Sequence, residues 1–283
     1  MLKLPFQIGL IGGGNMGEAF VAALTHSHTA EPPAIWVSDV DKRRLTRLQN
    51  AYGVNITNDN IELYLNCDIV VLAVKPQQME KVLSQIASKP HGKSVKKKRI
   101  ISIAAGVPIK KIERFLYAGL KESEKKRLPI IRVMPNTPAL VLCGMSGMSA
   151  NRHASADDIR IVRKILGAIG HVIEFPERDL DSVTALSGSG PAYIFYFVES
   201  MIEAGSRIGL RPEDAKTLTL MTLKGAHALL ENRHEGPEEL RRKVTSPGGT
   251  TEAALSILEK RRVKDTIIYA IEAAAKRAKE LSR

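Results

Sequence analysis

Residues 8–17 read Ile-Gly-Leu-Ile-Gly-Gly-Gly-Asn-Met-Gly, which sets Gly12, Gly14 and Gly17 in the pattern G-x-G-x-x-G. An apolar run (residues 7–11) precedes the pattern and a helical one (residues 16–25) follows it. Between a strand and a helix this spacing has a mechanical meaning. The first glycine permits a tight turn, the second lets a pyrophosphate approach the backbone, and the third lets the helix lie close to the strand. The unpaired N–H groups and positive dipole end of that helix then favour an anion. A ligand-free glycine turn is the bland alternative. Strand, helix and spacing together favour a dinucleotide.

The same strand–helix rhythm continues through the first half. Apolar, β-branched runs at 34–38, 69–73, 100–103, 130–133, 146–150 and 172–174 alternate with helical patterns such as 41–51, 77–88 and 155–166. Most of these runs are nearly continuous rather than alternating, as expected of strands covered on both faces. The fold class is therefore α/β, with an N-terminal Rossmann-type, doubly wound, mostly parallel sheet over residues 1–175. Beyond residue 176 the strand patterns stop. Pro191 opens a helix closed by Gly209, Pro212-Glu213-Asp214 opens a second, and Pro237-Glu238-Glu239 a third. Helical patterns resume at 251–259 and 263–281. Residues 176–283 are thus expected to form an all-α C-terminal domain. Its first long helix, 192–208, begins Ala-Tyr-Ile-Phe-Tyr-Phe-Val, apolar nearly all round. Such a helix must be buried on more than one side, and a domain this small has a limited core. Burial against a second copy is predicted, which makes this a dimerisation domain.

Bulk properties narrow the function classes. The net charge of +12 suits an anionic ligand or nucleic acid. The basic runs Lys93, Lys96, Lys97, Lys98, Arg99 and Lys125, Lys126, Arg127 lack interleaved aromatics. They read as solvated faces, and no nucleic acid partner is expected. Cys67 and Cys143 stand far apart at no metal or redox spacing, so two reduced thiols and no metal are expected. Residues 1–5 lead straight into the first apolar run, leaving no room for a targeting segment. No apolar stretch approaches the roughly 20 residues that span a bilayer. A cytoplasmic protein with no membrane partner is the expectation.

Several further residues point at the same crevice. Asp39 follows Gly17 at about the 20-residue spacing at which an acid bonds the ribose 2′-hydroxyl of NAD. Ser38, Lys42, Arg43 and Arg44 around it suit a 2′-phosphate, and capping of the next helix is a third reading. The strand at 69–73 runs into Ala73, Val74, Lys75 and Pro76, and ligands of open parallel sheets bind beyond such carboxyl ends. Ala104-Ala105-Gly106 and Met134-Pro135-Asn136-Thr137-Pro138 could wall in a nicotinamide ring. In the helical half, Ser187-Gly188-Ser189-Gly190-Pro191 and Ser246-Pro247-Gly248-Gly249-Thr250-Thr251 set small residues and hydroxyls at helix N-termini. Such ends either hold a carboxylate or are merely capped.

Taken together, Gly12-Gly13-Gly14-Asn15-Met16-Gly17, Ala73-Val74-Lys75-Pro76, Ala104-Ala105-Gly106-Val107, Met134-Pro135-Asn136-Thr137-Pro138, the 187–193 segment and the 246–251 segment resemble the pyrroline-5-carboxylate reductase family. The resemblance spans nearly the whole chain. It implies reduction of 1-pyrroline-5-carboxylate to L-proline, NADP(H) as cofactor, and a homodimer that can assemble further to a decamer. It also implies cofactor contacts at Gly12, Gly14, Asn15, Met16, Gly17, Ser38, Asn60, Ala73, Val74, Lys75, Pro76, Ala104, Ala105 and Gly106. Substrate contacts follow at Glu177, Gly248, Gly249, Thr250 and Thr251, with Thr250 and Thr251 as catalytic candidates. Thr251 matches the threonine whose hydroxyl meets the imine nitrogen. Asp39 and Val40 depart from the residues many members carry there, often asparagine then arginine. A carboxylate would repel a 2′-phosphate, which keeps NAD(H) open. The lysine-rich stretches around 93–99 and 121–127 look longer than usual and are expected to change loops, not activity.

Two rivals share the first half. A β-hydroxyacid dehydrogenase usually carries a catalytic lysine in its long helix, and residues 192–208 hold none. A cofactor-sensing or nucleic-acid-binding protein could borrow the fold without the chemistry.

Overall fold

The computed structural model describes residues 4–88 and 97–282; Lys93 and Lys96 of the first basic run lie outside them, as do residues 1–3 of the N-terminal reading. The chain begins β1 (Ile8–Ile11), α1 (Asn15–His26), β2 (Ile35–Ser38), α2 (Lys42–Tyr52), β3 (Asn55–Thr57), α3 (Asn60–Asn66), β4 (Ile69–Leu72), α4 (Pro76–Ala87) and β5 (Arg99–Ser102). It continues α5 (Ile109–Leu116), α6 (Glu122–Lys125), β6 (Ile130–Met134), β7 (Gly144–Ala150), α7 (Ala156–Gly167), β8 (Gly170–Glu174) and α8 (Leu180–Val183). Five helices follow: α9 (Gly190–Arg207), α10 (Pro212–Asn232), α11 (Pro237–Lys243), α12 (Thr250–Lys260) and α13 (Val263–Leu281).

The eight strands form one sheet in the order β3-β2-β1-β4-β5-β6-β7-β8. All neighbours are parallel except β6 and β7. Ile8 of β1 faces Ile35 on one side and Ile69 on the other, so the strand order reverses at β1. That reversal opens the crevice in which open α/β sheets bind ligands. Both faces are covered. Phe20 and Leu24 of α1, Leu48 of α2 and Ile165 of α7 are buried on one face, while Leu63 of α3, Met79 and Leu83 of α4 and Ile112 of α5 are buried on the other. Each fully buried Leu, Ile or Phe contributes about 1.5–3 kcal/mol relative to exposure. This double burial is why the strands read as continuous apolar runs.

Five elements escape the sequence reading, two of them, α6 and α8, single turns of four residues. β3 has three residues, too few for a pattern. α3 has seven, and its start is marked by Asp59, which accepts from the Ile61 N–H. α5 buries Ile109, Ile112 and Leu116 at helical spacing between charged residues. The first basic run also needs correction. Lys98 and Arg99 are buried, not solvated. The Lys98 ammonium donates to the carbonyls of Tyr64 and Cys67. Arg99 and Lys97 both meet Asp158, at 2.8 and 2.7 Å, so the run ties β5 to the start of α7. Beyond it, Lys125 pairs with Glu122 at 2.7 Å, while Lys126 and Arg127 are exposed.

The chain divides into two compact units, one of Met1–Ser189 with Ala274–Arg283 and one of Gly190–Ala273. Within the second, α9 lies against α10 closely enough that a Cβ at Gly205 would stand 2.7 Å from that of Ala215. Ile194, Phe195, Tyr196 and Phe197, which point round α9 in steps of about 100°, are all exposed.

Candidate active site

The turn after β1 is built as its glycines require. Gly12 has φ +107°, and a Cβ there would stand 2.7 Å from the Ala73 carbonyl oxygen. At Gly17 a Cβ would collide with the Gly12 carbonyl oxygen, so this glycine is needed for α1 to leave the sheet. Gly14 is different: a Cβ there would meet nothing within 4 Å. Gly14 is also the N-cap of α1 and supplies no side-chain cap. Bare backbone and the positive end of a 12-residue helix are therefore presented to open space. This arrangement suits a phosphate, as a dinucleotide requires.

The open space is part of a cavity of about 780 Å³. It is lined by Gly12, Gly14, Asn15 and Met16 from the turn, Ser38 and Asp39 from the end of β2, Asn60, and Ala73, Val74, Lys75 and Pro76 from the end of β4. Ala104 and Ala105, beyond β5, complete it. Gly17 and Gly106 support the wall from behind. Gly106 has φ +71°, and a Cβ there would come within 3.0 Å of the Leu281 carbonyl oxygen at the end of α13. The sequence reading did not name Asn58, Asp59, Ile61, Gln78, Lys81 and Gln85, which also line the cavity. Asp59 had a visible signal, its capping position before α3. The residues from α4 had none, because that helix reads as amphipathic on either assignment.

A chain of polar groups anchored on the buried Ser38 holds the floor. The Ser38 hydroxyl donates to Asn60 Oδ1 at 2.8 Å, and Asn60 Nδ2 donates to Gln85 Oε1 at 2.9 Å. Asp39 does not present a free carboxylate. Its Oδ2 accepts from the Gly13 N–H at 2.8 Å and from Arg44 Nη1 at 2.9 Å, and its Oδ1 accepts from the Asp41 N–H at 2.9 Å. Burial alone would raise this carboxyl, yet the two N–H groups and the guanidinium together hold it below its ordinary value. The cap of α2 is Asp41, which accepts from the N–H groups of Arg43 and Arg44.

The motif at 134–138 does not line the cavity. Asn136 instead ties β7 to the helical turn at 184–188, accepting from the Met145 N–H at 2.8 Å and donating to Ser187 at 3.3 Å. Glu177 caps α5: its Oε1 accepts from the Ile109 N–H at 2.7 Å and stands 3.4 Å from Arg132 Nη1. Arg132 is buried on β6 and also meets Asp181 at 3.1 Å, whose Oδ1 accepts from the Ser282 hydroxyl.

Gly248, Gly249, Thr250 and Thr251 belong to the other unit, in the turn that opens α12. Gly248 has φ +70°, which permits the turn. Its N–H donates to Glu252 Oε2 at 2.7 Å, and the Gly249 N–H donates to the Ser246 carbonyl. Thr250 and Thr251 lie in the first turn of α12, where N–H groups have no partner within the helix. Among the described residues no group of three His, Cys, Asp or Glu could hold a metal, and no helix is long and apolar enough to cross a membrane.

Comparison with known proteins agrees across the chain. Residues 177–281 match the model for pyrroline-5-carboxylate reductase dimerisation, and residues 7–106 match that for NADP oxidoreductase, coenzyme F420-dependent. A pyrroline-5-carboxylate reductase of Synechocystis is 38% identical over 99% of this chain and 100% of its own length. The crystal structure of Plasmodium falciparum pyrroline carboxylate reductase with NADP bound is 32% identical, covers all of both chains and superposes with a TM-score of 0.88. The Coxiella burnetii pyrroline-5-carboxylate reductase structure is 38% identical, covers 99% of this chain and 100% of its own, and gives 0.87. The chain belongs to the pyrroline-5-carboxylate reductase family.

Proposed function

We propose that this protein reduces 1-pyrroline-5-carboxylate to L-proline, the last step of proline biosynthesis, with NADP(H) as cofactor and NAD(H) as the second candidate. The observation that carries the cofactor reading is the bare backbone of Gly14 at the start of α1, facing a cavity large enough for a dinucleotide. The relatives named above support the substrate. Bound nicotinamide supplies a hydride, and the chain supplies position and field.

In this reading Gly12, Gly14, Asn15 and Met16 cradle the pyrophosphate, Gly17 and Gly106 hold the walls, and Ser38 and Asn60 form the ribose floor. Ala73, Val74, Lys75, Pro76, Ala104 and Ala105 flank the nicotinamide half. The substrate carboxylate falls to the turn at Gly248, Gly249, Thr250 and Thr251. Because the first two N–H groups are already engaged, the free donors there are those of Thr250 and Thr251. Thr251 orients the imine nitrogen by its hydroxyl, and solvent supplies the proton. Glu177 enters through its hold on α5, which keeps the 104–109 loop in place. Holding reacting atoms about 3–3.5 Å apart makes the step effectively unimolecular.

We assign residues 1–175 to the cofactor domain and 176–283 to the substrate and dimerisation domain, in a cytoplasmic homodimer that can form a decamer. Neither nucleic acid nor membrane is a partner in this reading. The test is direct: loss of NADPH and NADH absorbance is followed with 1-pyrroline-5-carboxylate present. Consumption with proline formed supports the reading. Absence of turnover with either cofactor overturns it.

A further inference from the structure

The Asp39 carboxylate sits where an acid of this fold commonly reads the adenosine ribose, yet its contacts point elsewhere. Both of its oxygens are engaged within the protein, one by the Gly13 N–H and the Arg44 guanidinium and the other by the Asp41 N–H. Its side chain is 7% exposed, against 38% for Arg44. Gly13 lies in the middle of the glycine turn and is packed against α2: a Cβ there would stand 2.9 Å from the Leu48 side chain. The Gly12 N–H next to it is held by the Ser38 carbonyl at 2.8 Å. One carboxylate and one carbonyl from the end of β2 therefore grip two successive N–H groups of the turn.

We propose that Asp39 is a positioning residue that sets the glycine turn for the dinucleotide and takes no part in choosing between NADH and NADPH. This rests on the cofactor reading above. The physical ground is charge and geometry together. Arg44 neutralises the carboxylate at 2.9 Å, so Asp39 brings no unpaired negative charge to a 2′-phosphate. With its oxygens turned to the Gly13 and Asp41 N–H groups and to Arg44, three of its roughly four acceptor positions are already taken within the protein. The turn gains rigidity before any ligand arrives. Preorganisation of this kind raises affinity for whatever the turn holds, and the pyrophosphate is common to both dinucleotides.

The full-length protein, Asp39→Asn and Asp39→Ala are titrated with NADPH and with NADH, and dissociation constants are measured by calorimetry. Asp39→Asn keeps the shape and one acceptor but loses the ion pair. Both affinities are expected to fall about tenfold in Asp39→Ala, the usual effect of losing hydrogen bonds to a charged group. Because removing Asp39 leaves Arg44 without its 2.9 Å partner beside the cavity, the NADPH-to-NADH ratio is read on an Arg44→Met background, where adding Asp39→Asn or Asp39→Ala should keep it within about threefold. A larger shift in that ratio, or unchanged affinity for both, overturns the proposal while leaving the cofactor reading intact. If the unaltered protein binds neither dinucleotide, the cofactor reading falls and the proposal falls with it. Hydrogen exchange without ligand gives a second readout that needs no variant to fold. The Gly13 amide of the unaltered protein should exchange slowly before any dinucleotide is added, and fast exchange there overturns the proposal. In a folded Asp39→Ala, protection should be lost at Gly13 and kept in β4, whereas general loosening would lower both.

Discussion

At the scale of single residues, the reading of Thr251 makes a sharp demand. Its hydroxyl is the one side-chain group assigned to the imine nitrogen, while the cofactor cavity contains no residue of its turn. Thr251→Ala should therefore lower kcat by about a hundredfold, the order expected when a reacting atom loses the group that orients it. The dissociation constant for NADPH should stay within about twofold. Steady-state kinetics paired with a binding titration check this, and an unchanged kcat removes Thr251 from the role. The two thiols give a second contrast. Burial pushes Cys67 up to about 12, with Lys98 opposing only in part, whereas Cys143 is exposed. The thiolate is the reactive form. One thiol per chain, Cys143, should react with a thiol reagent in the folded protein and two after unfolding. Rapid labelling of Cys67 in the native state would show that the α3–β4 corner opens readily.

At the scale of elements, the joint between β5 and α7 depends on one carboxylate. Asp158 is 0% exposed, completes the capping box with Ser155 and meets both Lys97 and Arg99. Burial would raise its carboxyl, but Lys97 and Ser155 hold it below its ordinary value. A carboxylate depressed in the folded state contributes stability above its unfolded value, and that stability fades as pH falls through the folded one. Asp158→Ala should cost about 3 kcal/mol at neutral pH, since it leaves the buried Arg99 with only the half-exposed Asp157 at 3.7 Å as counter-charge. The gap between variant and parent should narrow below about pH 4. Urea denaturation at the two pH values measures both, and a gap independent of pH contradicts the assignment. The same joint marks the limit of what the sequence discloses. The glycine turn and the apolar strands were legible because one local pattern, G-x-G-x-x-G after a β-branched run, has one mechanical solution. Lys98 and Arg99 were not, because a charge run looks the same whether its partners are water, backbone carbonyls about 30 residues away or a carboxylate about 60 residues away. Asp39 was legible as a site residue by spacing but not by contacts, since only the fold shows that the Gly13 N–H reaches it first. β3 was too short for any pattern to reveal it.

For the whole molecule, the second unit makes the strongest statement. Its residues include Phe195, Tyr196, Ile208, Leu218, Met221, Ile257, Ile267 and Tyr269, all with much of their surface exposed; Tyr196 reaches 74%. So many large apolar side chains exposed on one small unit mark an interface, and burying one such side chain contributes about 1.5–3 kcal/mol. The long apolar helix was the sequence signal, and its period already shows more apolar surface than one neighbouring helix can cover. A second copy is the occupant that the dimerisation match over residues 177–281 favours. Sedimentation at micromolar concentration should therefore give a dimer or a larger assembly. Phe195→Asp combined with Tyr196→Asp should shift it to monomer, because two buried charges opposite their own symmetry mates would be uncompensated. The monomer should melt at a lower temperature than the parent, and the melting temperature of the parent alone should rise with protein concentration, as linkage to association requires. An unaltered protein that sediments as a monomer with full activity would mean that this apolar surface serves some other contact.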